Sequence, residues 1–153
     1  MNIYDKALRK LSARPRTVWE MRKYLEGEGF DKGEIDEVVE EFKTMHYLDD
    51  EEYCRMFARR ELGRGRGKAL IARKLRELGV DEFVVDDVLD EEEFDLDEKS
   101  LAMEEAQRVI RMAGAETPYS EKIIGRVARR LQSKGYKADV IYGIIGELRR
   151  CVI

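Results

Sequence analysis

Ile71-Ala72-Arg73-Lys74-Leu75-Arg76-Glu77-Leu78-Gly79-Val80, followed by Val85, Val88 and Leu89, is a short amphipathic helix, a glycine stop and a second apolar stripe. The same pattern stands twice more, around Gly29 and around Gly135. Four residues before each glycine is a leucine (Leu25, Leu75, Leu131), and eight before is Met21, Ile71 or Val127. One after is Phe30, Val80 or Tyr136; six after is Ile35, Val85 or Ile141; nine after is Val38, Val88 or Ile144. The copies lie 50 and then 56 residues apart, and a self-match of that period is the signature of stacked supersecondary units. Apolar spacing of three and four makes the units helical, and no alternating β pattern competes.

Outward from the glycines, each copy reads as three helices. Ile3, Tyr4, Ala7, Leu8 and Leu11 form the first stripe. Thr17 with Glu20 is a capping-box pair that opens a helix through Val18, Met21 and Leu25. Asp31 with Glu34 starts the third, with Ile35, Val38, Val39 and Phe42 inward. Asp49 with Glu52 starts the fourth, with Tyr53, Met56 and Phe57 inward and Cys54 on its apolar side. Gly63 to Gly67 reads as a flexible joint, Asp90 to Glu98 as a linker or helix extension, the seventh helix as roughly 98–113, and Gly114 to Pro118 as a turn. The expectation is an all-α, elongated tandem array of three helix-turn-helix-like repeats, with bounds 1–48, 49–97 and 98–153.

Charge is segregated. Among 153 residues, 29 Lys and Arg oppose 33 Asp and Glu, for a net charge of −4. Yet residues 59–76 hold eight basic residues and one acid, whereas 81–98 hold eleven acids and no base. Such a field steers an oppositely charged surface. The cysteines, Cys54 and Cys151, form no paired motif, the start of the chain turns polar within five residues, and no apolar run reaches membrane-span length. These features predict a cytoplasmic protein without a membrane partner.

Candidate chemistry fails on spacing. Lys68 follows glycines, but a phosphate loop requires two glycines five apart, then Lys, then Ser or Thr, and here Ala69 follows. Asp49, Asp50, Glu51 and Glu52 lack the alternation and glycine of a hard-cation loop and suit a helix start instead. His46 is the only histidine and has no placed nucleophile. No catalytic residue, metal site or cofactor is expected. The basic residues remain. Lys23, Arg73 and Arg129 all stand six before the glycine; Lys74 and Arg130 stand five before it. They are either a solvated face or a stripe for phosphates or an acidic surface. Contact candidates are Arg59, Arg64, Arg66, Lys68, Arg73, Lys74 and Arg76, flanked by Lys23, Arg129 and Arg130. Trp19, unmatched in the other copies (Ala69, Gly125), is either a plug between helices or an exposed anchor.

Three stretches resemble the RecX family, regulators of the bacterial recombinase RecA. They are Ala7-Leu8 through Gly29-Phe30; Tyr47-Leu48-Asp49-Asp50-Glu51-Glu52-Tyr53, the most specific; and Arg66-Gly67-Lys68 with Ile71, Leu75 and Gly79-Val80. Arg130-Leu131, Lys134-Gly135-Tyr136 and Val140-Ile141 are similar to the family's closing motif. His46 stands where the family usually carries glycine, and Lys137 where a serine commonly caps the last helix. The resemblance implies a protein that binds along the RecA–DNA filament and reduces ATP hydrolysis, strand exchange and coprotease activity; a monomer with weak DNA contact is the expectation for its partners. From the residues alone, a helix-turn-helix nucleic-acid binder and a generic helical adaptor stay open.

Overall fold

The computed structural model describes residues 1–114 and 120–150; the expected turn over 115–118 and Cys151 lie outside them. The described residues form nine α-helices: α1 (Ile3–Ala13), α2 (Val18–Gly27), α3 (Lys32–Thr44), α4 (Asp50–Gly63), α5 (Lys68–Glu77), α6 (Glu82–Leu89), α7 (Glu92–Met112), α8 (Glu121–Ser133) and α9 (Ala138–Arg150). The all-helical repeat reading is what the chain adopts.

Local chemistry accounts for most boundaries. Thr17 Oγ1 accepts the Glu20 N–H at 3.1 Å while Glu20 Oε1 accepts the Thr17 N–H at 3.0 Å, closing the capping box of α2. The three glycine turns are the same structure. Gly29, Gly79 and Gly135 have φ of +90°, +83° and +88°. The residue after each donates to the leucine four before it: Phe30 to Leu25, Val80 to Leu75 and Tyr136 to Leu131, at 3.1–3.2 Å. That is the Schellman ending, in which a left-handed residue lets the chain satisfy the last carbonyls. His46 does the same at the end of α3 with φ +61°, a conformation for which glycine is better suited.

Packing divides the chain into two compact bodies, Met1–Met56 with Lys74–Val88, and Phe57–Arg73 with Leu89 onward. Helices α4 and α5 each contribute to both. The core of the first body joins Ala7, Met21, Leu25, Ile35, Val38, Val39, Phe42 and Leu48, with Ile3 and Leu11 partly buried against it. The expected stripe of α1 thus holds except at Leu8 and Tyr4, which are exposed. The core of the second joins Ala102, Ala106, Val127, Leu131, Tyr136, Ile144 and Leu148.

Two expectations are resolved or corrected. The acidic run is a helix extension: α7 begins at Glu92, its first-turn acids Glu92, Glu93 and Asp95 favour a helix N-terminus, and Phe94 and Glu98 are buried. The expected joint at Gly63–Gly67 is tied down at its last residue. Gly67 donates its N–H to the Lys134 carbonyl at 2.7 Å, and a Cβ on it would collide with backbone atoms of Gly135 and Tyr136.

A similar seam occurs once in each body. In the first, the start of α2 meets the α5–α6 turn: Thr17 Oγ1 donates to the Leu78 carbonyl at 2.7 Å, and Trp19 lies against Gly79 so closely that a Cβ there would strike the indole. In the second, the start of α5 meets the α8–α9 turn: Gly67 and Ala69 donate to the carbonyls of Lys134 and Gly135, and Leu70 covers Gly135. The Gly29 turn has nothing within 4 Å of where a Cβ would sit.

Candidate interaction surface

Each seam contains an acid. Asp50, at the start of α4, accepts the Val18 N–H at 2.9 Å; Glu98, on α7, accepts the Lys68 N–H at 3.2 Å. Both receive the first N–H of a helix that has no intrahelical partner. Burial pushes both carboxyls above their ordinary pKa, with the backbone N–H pulling the other way. The native state therefore takes up a proton at these sites at higher pH than the unfolded chain. Their contribution to stability falls as pH rises through the native pKa.

This assigns the motif Tyr47-Leu48-Asp49-Asp50-Glu51. Leu48 is core, Asp49 Oδ1 accepts the Glu52 N–H at 3.1 Å to cap α4, Asp50 holds the seam, and Glu51 pairs with Arg55. Tyr47 is exposed, its ring edge-on to Phe42 with centroids 5.5 Å apart. The helix-capping reading of this acidic run holds, and among the described residues no group of His, Cys, Asp and Glu is arranged to hold a metal ion. Asp50→Ala is expected to destabilise the protein by about 1–3 kcal/mol by orphaning the Val18 N–H. Asp50→Asn keeps the acceptor without burying a charge and should be near neutral at pH 7, both read from urea midpoints.

The predicted contact residues differ in burial and in ion pairing. Lys68 is a correction: it is 2 % exposed, its ammonium held by Asp95 and by Glu98, itself 1 % exposed, at 3.8 Å. A group so enclosed offers nothing to an outside partner. Arg59, Arg130 and Arg66 are engaged by acids: Arg59 with Glu93 at 2.8 Å, Arg130 with Glu105 at 2.8 Å, and Arg66 near Glu61 at 3.8 Å. Glu105 is desolvated, yet the Arg130 guanidinium and nearby Arg108 hold its carboxyl below the ordinary range. It stabilises the fold above that range and loses this as pH falls through the native pKa. Lys74 is half-buried.

Lys23, Arg64, Arg73, Arg76 and Arg129 are exposed. The three cations six before a glycine (Lys23, Arg73, Arg129) thus all face solvent from equivalent positions of α2, α5 and α8. Trp19 packs between helices and also keeps an exposed side. One side seats on Gly79, the residue stays 43 % exposed, and Lys23 Nζ stands 5.8 Å from its ring. Beside Trp19 lies an open cleft of about 640 Å³ that also includes Arg22, Lys43, Asp49, Asp50 and Asp81. Its charges are mixed, and Asp49, Asp50 and Asp81 each already accept a backbone N–H at a helix start. Cys54 is fully buried and its thiol is pushed up to about 12, chiefly by desolvation, so it is not a nucleophile at neutral pH. No helix among the described residues is long and apolar enough to cross a membrane.

Repeating helix trios, identical turns and an exposed cation at one repeat register define a tandem helical-repeat protein, a class that works through surface contact. Residues 4–42 match the model of the first three-helix domain of RecX, and residues 49–89 match that of the second. The chain is 33% identical over 139 residues to the regulatory protein RecX of Halorhodospira halophila, covering 91% of this chain and 83% of that one. It is 29% identical to that of Clostridium beijerinckii, covering 95% and 67%. The chain belongs to the RecX family of regulatory proteins. Its fold is that of the crystal structure of RecX from Lactobacillus salivarius, with a TM-score of 0.86, 22% identity and coverage of 97% and 95%. A second crystal structure, of a regulatory protein RecX, matches with a TM-score of 0.75 at 22% identity, covering 95% and 70%.

Proposed function

We propose that this chain binds the RecA–DNA filament and lowers its ATP hydrolysis, strand exchange and coprotease activity by occupying it, without catalysing a reaction. The supporting observation is the solvent-facing cation repeated on the second helix of each trio: Lys23, Arg73 and Arg129. A periodic partner presents its anionic or acidic groups at regular intervals, and several weak contacts carried on one scaffold gain avidity. In this reading the protein is a cytoplasmic monomer, and its effect is steric and electrostatic. The test is RecA ATP hydrolysis on single-stranded DNA with the chain titrated in. Turnover should fall, and unchanged turnover at saturating chain rules the reading out. Arg73→Glu with Arg76→Glu should weaken inhibition at least tenfold while leaving thermal unfolding unchanged, since both side chains are exposed. The same cations support a second reading, a nucleic-acid binder. Nanomolar affinity for naked DNA with a steep salt slope would favour that one.

A further inference from the structure

The acidic stretch has no part in the contacts proposed above, and three of its eleven acids, Glu82, Asp86 and Asp87, lie on α6. Val85 and Val88 bury one side of this helix. On the other, Phe83 is 80 % exposed, with Glu82, Asp86 and Asp87 exposed around it. Residues three and four apart on a helix are surface neighbours, so Phe83 shares a side with both aspartates. Asp81 Oδ1 accepts the Phe83 N–H at 2.8 Å and fixes the turn that carries the ring. Among the described residues, Glu82, Asp86 and Asp87 have no ion-pair partner, whereas Glu20, Asp36 and Glu105 are each held by an arginine.

We propose that this face of α6 docks on a lysine- and arginine-bearing surface of the protein part of the filament, with the phenyl ring as anchor. The inference rests on the filament-binding reading. A nucleoprotein filament offers phosphates and protein. Three uncompensated carboxylates within about one turn are repelled by phosphate, which leaves the protein's cations as the complementary surface. An aromatic ring among carboxylates suits the same chemistry, because a guanidinium or ammonium can pair with the acid and lie over the ring face. An exposed aromatic ringed by polar groups is also the usual form of an energetic anchor.

The test compares the full-length wild type with Phe83→Ala and with Asp86→Lys/Asp87→Lys, each checked by thermal melting. Affinity for RecA filaments on single-stranded DNA is measured across a salt series. The charge reversal should weaken binding at least tenfold and flatten its salt dependence. Phe83→Ala should weaken it several-fold, and neither change should lower affinity for naked DNA. Equal binding by wild type and both variants overturns the inference while leaving the regulatory reading intact. So does a wild-type oligomer that the reversal dissociates, which would assign the face to a second copy. If the wild type itself fails to bind filaments, the regulatory reading has failed. An arginine-rich peptide then decides this one: salt-sensitive binding lost in both variants supports a cation-docking face, and equal binding overturns it.

Discussion

Gly135→Ala is expected to cost about 2–5 kcal/mol, where Gly29→Ala costs only about 1–2 kcal/mol. Both glycines have φ near +90°, so each substitution forces an L-residue into the left-handed region. The difference lies in what surrounds them. A Cβ on Gly135 would overlap Leu70 and stand 2.9 Å from its backbone nitrogen, whereas Gly29 has open space. The excess, about 1–3 kcal/mol, is the usual penalty for overfilling a packed site. Gly67→Ala separates the two effects, because Gly67 has no positive φ and meets backbone only, at Gly135 and Tyr136. Urea midpoints for the three variants give the comparison. Equal losses at 29 and 135 would mean that the seam is not close-packed.

Lys68→Met is expected to be comparably severe, about 3–5 kcal/mol at neutral pH, because removing one member of a buried pair strands the other. Glu98 is the stranded group. Burial already raises its pKa, and the Lys68 charge is among the causes that oppose this. Without the ammonium the native carboxyl rises further. The variant should therefore recover stability as pH falls from 7 into the acidic range, where Glu98 is protonated and no longer a buried charge. Denaturation midpoints at pH 7 and pH 5 read this out. A pH-independent loss would place the cost in packing of the lysine stem instead.

Both predictions concern positions that the sequence makes easy to misread. The glycine turns, the capping box and the cores of α2, α3 and α5 are legible because they depend on neighbours within one or two turns of chain. Lys68 is not. As a lysine after a glycine-rich stretch it resembles a solvated cation, and its burial depends on Asp95 and Glu98, two helices further along. The anchoring of Gly67, where the sequence suggests a flexible joint, is hidden for the same reason, since the carbonyl that holds it is 67 residues away, on Lys134. The acidic segment before residue 98 was legible as charge, but the sequence left it between a linker and a helix extension. Phe94 supplies the burial that continues α7 backward, and two apolar residues in eight, Phe94 and the exposed Leu96, give periodicity too little to detect. Among the surface candidates, the shared register of Lys23, Arg73 and Arg129 is visible in the sequence. The pairing of Arg59 with Glu93 and of Arg130 with Glu105 is not, because it depends on which helices pack together.

The way the second body's seam is built bears on descent. Its direct links run through peptide groups, from the amides of Gly67 and Ala69 to the carbonyls of Lys134 and Gly135, and every amino acid supplies those atoms except at proline nitrogen. Selection then has little to guard there beyond a few small residues and a carboxylate. Lineages can exchange most other side chains and keep the same backbone course, as a chain 22% identical to this one does with a TM-score of 0.86.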